Sequence, residues 1–68
     1  MIKIGERIKE IRKLNNLTQT KFAKMIQTTQ DSVSLWELGK SYPDIEYVVR
    51  ICNVFNVSAD YLLGIEEI

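Results

Sequence analysis

Three polar side chains with hydrogen-bonding chemistry, those of Gln30, Asp31 and Ser34, lie at positions i, i+1 and i+4 of a predicted helix. A glutamine amide can pair with two atoms of an adenine edge, a carboxylate can accept from a cytosine amino group, and a serine hydroxyl suits either role. The apolar Val33 and Trp36, spaced i and i+3, occupy another side and are expected in the core. The spacing indicates a helix that is buried on one side and offers hydrogen bonds on the other.

Residue types needed for catalysis are scarce. The chain has no histidine, a single cysteine and no glycine-rich phosphate loop. Its acidic residues lie mostly at predicted helix starts, where the helix dipole favours them, and are interpreted as structural. One cysteine without histidine excludes an intramolecular disulfide and a Cys/His zinc site, and Cys52 falls in an apolar pattern typical of a buried core residue. We expect no enzymatic activity, metal, cofactor or small-molecule ligand.

The helix that bears the polar side chains is the second of two short helices predicted between residues 18 and 40. Thr18 and Thr29 are expected to cap the two N-termini, because a threonine hydroxyl can accept a hydrogen bond from a free amide of the first turn. A polar run at 27–29 separates the helices, and Gly39 ends the second one. One face of the first helix consists of Phe22, Ala23 and Ile26. Helices this short are marginal alone, so neighbouring elements must hold them.

Two longer amphipathic patterns supply those neighbours. The first covers residues from about 5 to 14, and its predicted core face consists of Ile4, Ile8, Ile11 and Leu14. Its charged face is interpreted as solvated and consists of Glu6, Arg7, Lys9, Glu10 and Lys13. The second pattern opens at Pro43 or Asp44, and its predicted core stripe consists of Ile45, Val48, Val49, Cys52 and Phe55.

Turn signals and one short helix complete the chain. Left-handed helix ends are expected at two asparagines, Asn16 and Asn56. Ser58 is expected to cap a last short helix that ends at Gly64, and Ile65 and Ile68 belong to a short tail. The sequence therefore predicts five helices, no strands and one core, in a single domain that spans residues 1–68.

The formal charges separate along the chain, although its net charge is zero. Residues 1–40 contain eight Lys/Arg against four Asp/Glu, a net of +4, and residues 41–68 contain one arginine against five acidic residues, a net of −4. This asymmetry predicts a basic side that holds the two short helices and an acidic side that turns away from phosphate.

The order of polar and apolar residues through most of the chain is similar to that of a known family. The matching residues are Leu17, Thr18, Gln19, Ala23, Val33, Trp36, Glu37, Gly39, Lys40, the run 41–44, Val57, Ser58 and the run 61–63. Over roughly residues 4–64 the chain resembles the helix-turn-helix of the Cro/phage-repressor (Xre-type) family of bacterial transcription regulators. This resemblance implies an all-α, five-helix lambda-repressor-like DNA-binding domain with a central helix-turn-helix at about residues 18–38. Gln27 departs from the family, which usually has glycine at this turn position, where a positive φ costs other residues on the order of 1 kcal/mol.

The resemblance also implies a set of DNA contacts. Phosphate contacts are expected from Gln19, through its amide and backbone N–H, and from Thr28, Thr29, Lys40 and Ser41. Base contacts are expected from Gln30, Asp31 and Ser34. Leu35 stands where many relatives have a polar or basic residue, and it either touches a thymine methyl or packs on Leu38. Asp31 has an alternative role, in which it only stabilises the first turn and repels phosphate.

An ion pair is expected behind the second short helix. In the family, an arginine near the end of the first helix pairs with a glutamate at the end of the recognition helix, and Arg12 and Glu37 match these positions. We expect a partly buried pair that fixes the recognition helix against the first helix. The alternative is two independent surface charges, which would contribute little.

The resemblance implies a sequence-specific transcription regulator that acts as a repressor and binds a pseudo-palindromic stretch of double-stranded DNA as a homodimer. Tyr42, Phe55 and Ile65 are candidates for the dimer surface. Two alternatives stay open: a protein-interaction module such as the antitoxin of a toxin–antitoxin pair, or the DNA-binding fragment of a longer regulator. The charged N-terminus and the lack of a long apolar run predict a cytoplasmic protein with no membrane contact.

Overall fold

The computed structural model describes residues 3–65, which form five helices and no strand. In chain order the helices are α1 (Ile4–Leu14), α2 (Gln19–Met25), α3 (Gln30–Glu37), α4 (Ile45–Phe55) and α5 (Ala59–Leu63). α1 packs against α3 and α5, α2 packs against α3, and α4 packs against α5, so the helices surround one core. The predicted all-α fold is confirmed. Ile68 of the predicted tail lies outside the described residues.

Side-chain caps begin four of the five helices. The capping residues are Thr18 for α2, Thr29 for α3, Asp44 for α4 and Ser58 for α5. Each has extended backbone and accepts a hydrogen bond from the N–H three residues further on, at 3.0–3.3 Å. Each bond satisfies an amide that the first helical turn leaves without a partner. The predicted caps are confirmed, and Asp44 rather than Pro43 precedes α4.

Three helix ends use the left-handed backbone region at a residue other than glycine. Asn16, Gln27 and Asn56 have φ values of 57°, 64° and 55°. Asparagine tolerates this region because its short side chain can hydrogen-bond locally, whereas glutamine gains no such compensation. Gln27 lies in the turn between α2 and α3, and the positive φ expected at this position is confirmed.

The core receives apolar side chains from all five helices. The buried members are Ile4, Ile8, Ile11, Phe22, Ala23, Ile26, Val33, Trp36, Val48, Ile51 and Leu62. Phe22 stacks on the half-buried Phe55 with ring centroids 4.9 Å apart, and Trp36 meets Tyr47 at 5.5 Å. These ring pairs attach α4 to both α2 and α3. Cys52 is half-buried against the core, and desolvation raises the pKa of its thiol.

The predicted core face of α4 is partly wrong. Ile45 and Val49 are 77% and 52% exposed, whereas Ile51, which the predicted stripe omitted, is fully buried. Apolar residues occupy so many positions of α4 that their spacing fits more than one face. Packing against the other helices selects the face that contains Val48 and Ile51.

Two predictions for α1 are also wrong. Leu14 is 79% exposed, because it is rotated by roughly 90° from the centre of the isoleucine face. Arg7, expected to be solvated, is only 8% exposed, and its guanidinium lies 4.7 Å from the ring centroid of Tyr61. Arg7 also pairs with Glu10 at 3.3 Å, and Glu10 accepts the Tyr61 hydroxyl at 2.7 Å. This cluster joins α1 to α5, with Arg7 at its buried side.

α1 and α3 are in close contact at Gly5. A Cβ placed on Gly5 would lie 2.2 Å from the carbonyl oxygen of Trp36, a backbone atom that has little freedom to move. Only glycine allows this contact without a shift of one helix. Gly5 therefore contributes to the position of the C-terminal end of α3.

Gly5→Ala is expected to lower the free energy of unfolding by about 1–3 kcal/mol through overpacking. The sign is informative, because the same change in an unconstrained helix stabilises by roughly 1 kcal/mol. Urea denaturation followed by circular dichroism measures the difference. Glu6→Ala, at the adjacent exposed position, is the matched control and should change stability little. A Gly5→Ala protein more stable than wild type would contradict the close approach.

Candidate nucleic-acid interface

The two short helices are joined by a compact turn. After α2, the N–H of Thr28 donates to the carbonyl of Ala23 at 2.9 Å while Gln27 adopts its positive φ. Thr29 follows at once and caps α3. Only four residues, 26–29, thus separate α2 from α3, and the two helices pack directly on each other. The orientation of α3 is therefore set by local hydrogen bonds as well as by the core.

α3 is buried on one side and accessible on the other. Val33 and Trp36 are 0% and 4% exposed and hold the helix on the core. The accessible side presents the residues expected to contact bases, namely Gln30, Asp31, Ser34 and Leu35, of which Ser34 is half-buried. The structure therefore brings these four side chains together on one helix.

A bidentate ion pair holds the C-terminal end of α3. Arg12 Nε donates to Glu37 Oε2 at 2.7 Å, and Arg12 Nη2 donates to Glu37 Oε1 at 3.0 Å. The side chains are 14% and 5% exposed, so the pair lies between the helices and not on the surface. Arg12 Nη1 also donates to the carbonyl of Leu17 at 3.0 Å. One arginine therefore connects α1, the segment that leads into α2, and α3.

The surroundings of Glu37 favour its charged form. Burial alone would raise the pKa of Glu37, but hydrogen bonds from Arg12 and Gln19 and the positive charges of Arg12 and Lys9 outweigh it. The pKa of Glu37 is therefore lower than usual. The hydrogen bond to Glu37 correspondingly raises the pKa of Arg12. Both members of the pair are charged at neutral pH.

Two glutamine side chains extend this ion pair to the start of α3. Gln19 Nε2 donates to Glu37 Oε1 at 3.1 Å, and Gln30 Nε2 donates to Gln19 Oε1 at 2.6 Å. The amide expected to contact phosphate is therefore hydrogen-bonded within the protein, and Gln19 is half-buried. Sequence reasoning missed this link, whose only signal was a polar residue at the first position of each short helix.

The other expected contact residues lie at the two ends of α3. The Thr29 hydroxyl accepts from the Ser32 N–H at 3.2 Å, so capping is an established use of that side chain. Thr28 and Ser41 are half-buried, and Lys40 is exposed just beyond the helix. Leu35 is 42% exposed and Leu38 is 65% exposed, so neither is removed from solvent by packing on the other.

Arg50 is a structural residue of the site that sequence reasoning missed. Its Nη1 donates to the carbonyl of Ile26 at 3.2 Å, next to the turn between α2 and α3. Its Nη2 donates to Glu46 at 3.0 Å, and its guanidinium lies 5.3 Å from the ring centroid of Tyr47. The i, i+4 spacing of Glu46 and Arg50 signals the ion pair but not the bond to α2. Arg50 thus attaches α4 to the end of α2.

No group of three or more potential metal ligands occurs among residues 3–65. In the same part of the chain, every helix is too short or too polar to cross a membrane.

Two short helices joined by a tight turn, with the second exposing polar side chains, define a helix-turn-helix domain. The helix-turn-helix family model matches residues 8–62, which is most of the chain. The chain therefore belongs to the helix-turn-helix family, in the Cro/phage-repressor (Xre-type) group of transcription regulators. The resemblance of the sequence to this group is confirmed.

The chain is similar to proteins that have different roles. It is 34% identical over 67 residues to the transcriptional activator BcrR of Enterococcus faecalis and 39% identical over 61 residues to the antitoxin PezA of Streptococcus pneumoniae. These matches include 98% and 90% of this chain but only 33% and 39% of the relatives. In the crystal structure of the P22 c2 repressor with a synthetic operator, the matching chain superposes with a TM-score of 0.85 at 30% identity. That match covers 93% of this chain and 96% of the repressor chain.

Stability is expected to fall in acid as Glu37 gains a proton. The pKa of Glu37 is lowered by folding from an unfolded value of about 4.3, so its contribution is present above about pH 5. The contribution is lost as the pH falls through the lower folded-state value. Urea unfolding of wild type and of Arg12→Met/Glu37→Met should be measured between pH 7 and pH 3. The free energy of unfolding of wild type minus that of the double variant should decrease as the pH falls.

A matched background isolates Glu37 from a second acidic group. The pKa of Glu10 is also lowered, mainly by the hydrogen bond from Tyr61 and further by that from Arg7, although desolvation opposes the shift. The comparison should therefore be repeated with Glu10→Gln in both proteins. A free-energy difference that stays constant with pH in this background would contradict the assigned role of Glu37.

Proposed function

We propose that the chain is a cytoplasmic DNA-binding domain that inserts α3 into the major groove and binds a pseudo-palindromic operator as a homodimer, acting as a repressor. The observation that supports this most strongly is that α3 is held firmly by contacts with the rest of the domain. Its inner side is fixed by Val33 and Trp36, its C-terminal end by Glu37, and its N-terminal end presents accessible polar side chains. A short helix held in this way can dock against base edges with little loss of conformational entropy.

The proposed contacts divide into base and phosphate contacts. Gln30, Asp31 and Ser34 would meet base edges, and the partly exposed Leu35 would meet a thymine methyl. The phosphate contacts would come from the backbone N–H of Gln19 and from Thr28, Thr29, Lys40 and Ser41. The likeness to a repressor solved with its operator supports this assignment.

A homodimer is proposed because one small domain contacts too few base pairs for selective binding. Two copies can read half-sites about one helical turn apart. Tyr42 and Ile65 are 61% and 71% exposed and remain candidates for the dimer surface. Phe55 is less suitable, because its ring is already stacked on Phe22.

Selection from random duplex DNA is expected to enrich a pseudo-palindromic motif. Gln30→Ala should then cost about 1–3 kcal/mol at particular base positions. Lys40→Ala should weaken binding to all sequences about equally and reduce the salt slope by roughly 1. Titrations at two salt concentrations measure both effects. Lys13→Ala, on the outer side of α1, is the matched control and should change neither.

A second candidate function is suggested by the 39% identity to an antitoxin. Residues 41–68 have a net charge of −4 and would then face a basic protein partner. The same selection separates the two candidates. Absence of an enriched motif, together with binding of a protein partner that DNA does not displace, would favour the antitoxin-like function over operator binding.

Binding as a homodimer predicts two chains on each full operator. Sedimentation of the complex with labelled DNA should give a mass that corresponds to two chains, and randomising one half-site should abolish the cooperative step. Tyr42→Ala should reduce cooperativity while leaving the affinity for an isolated half-site unchanged. A single chain bound to the full operator with full affinity would contradict the homodimer.

A further inference from the structure

We propose that Glu37 is a positioning residue for base recognition: acting through Gln19, it sets the direction in which the Gln30 amide faces a base. This inference rests on the proposed function and adds to it a physical basis for the choice of base. It depends on which atoms in the network can donate hydrogen bonds and which can only accept them.

The ion pair determines the orientation of the Gln19 amide. A guanidinium can only donate and an ionised carboxylate can only accept. Glu37 Oε1 accepts a hydrogen bond from Arg12 Nη2 at 3.0 Å and lies 3.1 Å from Nε2 of the Gln19 amide. An amide oxygen at that place would repel the carboxylate, so Gln19 must turn its nitrogen toward Glu37. One of the two otherwise similar orientations of the Gln19 amide is thereby excluded.

The next hydrogen bond transmits this direction to α3. With its nitrogen facing Glu37, Gln19 offers its oxygen to Gln30, whose Nε2 lies 2.6 Å away. Gln30 must therefore use its nitrogen, and not its oxygen, in the contact with Gln19. This leaves one N–H and the oxygen of the exposed Gln30 amide for a ligand.

The remaining pair of groups matches adenine. In the major groove adenine presents the N6 amino donor beside the N7 acceptor, so the amide oxygen and the N–H can pair with both. Guanine presents two acceptors there, O6 and N7, and would need two donors. If Gln19 were turned round, Gln30 would bond to it through oxygen and offer both N–H groups. The buried carboxylate thus favours adenine over guanine at a base that it does not touch.

Gln19→Met tests the link without changing the ion pair or Gln30. Gln30→Ala first identifies the base position that Gln30 reads. At that position, Gln19→Met should reduce the preference for adenine over guanine by about tenfold, while preferences elsewhere in the motif stay as in wild type. An unchanged preference at that position would overturn the proposal, even though DNA binding itself would stand.

A second variant tests Glu37 directly. In Arg12→Met/Glu37→Gln the carboxylate becomes an amide that can donate or accept, and no charge is left unpaired. The same loss of adenine preference is expected, confined to the same base, with urea unfolding used to choose a temperature at which the variant is folded. A preference equal to that of wild type would overturn the role of Glu37.

Side-chain amide signals in the NMR spectrum of the free protein give a readout that needs no DNA. In wild type, one amide proton of Gln19 and one of Gln30 should exchange slowly with water, and the Gln30 proton should lose this protection in Gln19→Met. Unprotected amides in wild type would overturn the network. A wild-type chain that shows the protected amides but enriches no DNA motif would instead refute the proposed function, and with it the consequence for base choice.

Discussion

A buried carboxylate must receive hydrogen bonds wherever its oxygens point, and in this protein that requirement organises the helix-turn-helix. Glu37 is 5% exposed, and it receives two bonds from Arg12 and one from Gln19. These partners belong to α1 and α2, so satisfying one charge brings three helices into a fixed arrangement. Loss of either charged partner would leave the other buried without compensation, which costs far more than the intact pair contributes.

The arrangement compensates for the shortness of the recognition helix. α3 has eight residues, too few for a stable helix in water, and its sequence includes two serines and a β-branched residue. A threonine cap, two buried side chains, the ion pair and the aromatic contact of Trp36 with Tyr47 all act on this one element. α4 also stabilises the arrangement, because Arg50 donates a hydrogen bond to the backbone at the end of α2. A rigid short helix with an accessible polar side is the result.

Particular residues show how far sequence reasoning reaches. Thr18, Thr29 and Ser58 were predictable as caps, and the positive φ of Gln27 followed from its position in a family turn. The pairing of Arg12 with Glu37 came from the resemblance alone, since no local pattern links residues 25 apart. The faces of the longer helices were predicted less well. In α4 several apolar patterns overlap. In α1 the charged pattern predicts a solvated arginine where the structure has a buried one, because its aromatic neighbour is far along the chain.

The sequence by itself determined where the helices start and stop, that they are five, and that the second and third form a helix-turn-helix. Those features depend on hydrogen bonds and steric limits that act within about one helical turn, so they can be recognised from neighbouring residues. Only the tertiary structure decided which side of α4 is buried and where the amides of Gln19 and Gln30 point. The two amide bonds join residues 18 and 11 positions apart. Their partners are chosen by the packing of three helices, and no local spacing specifies that packing.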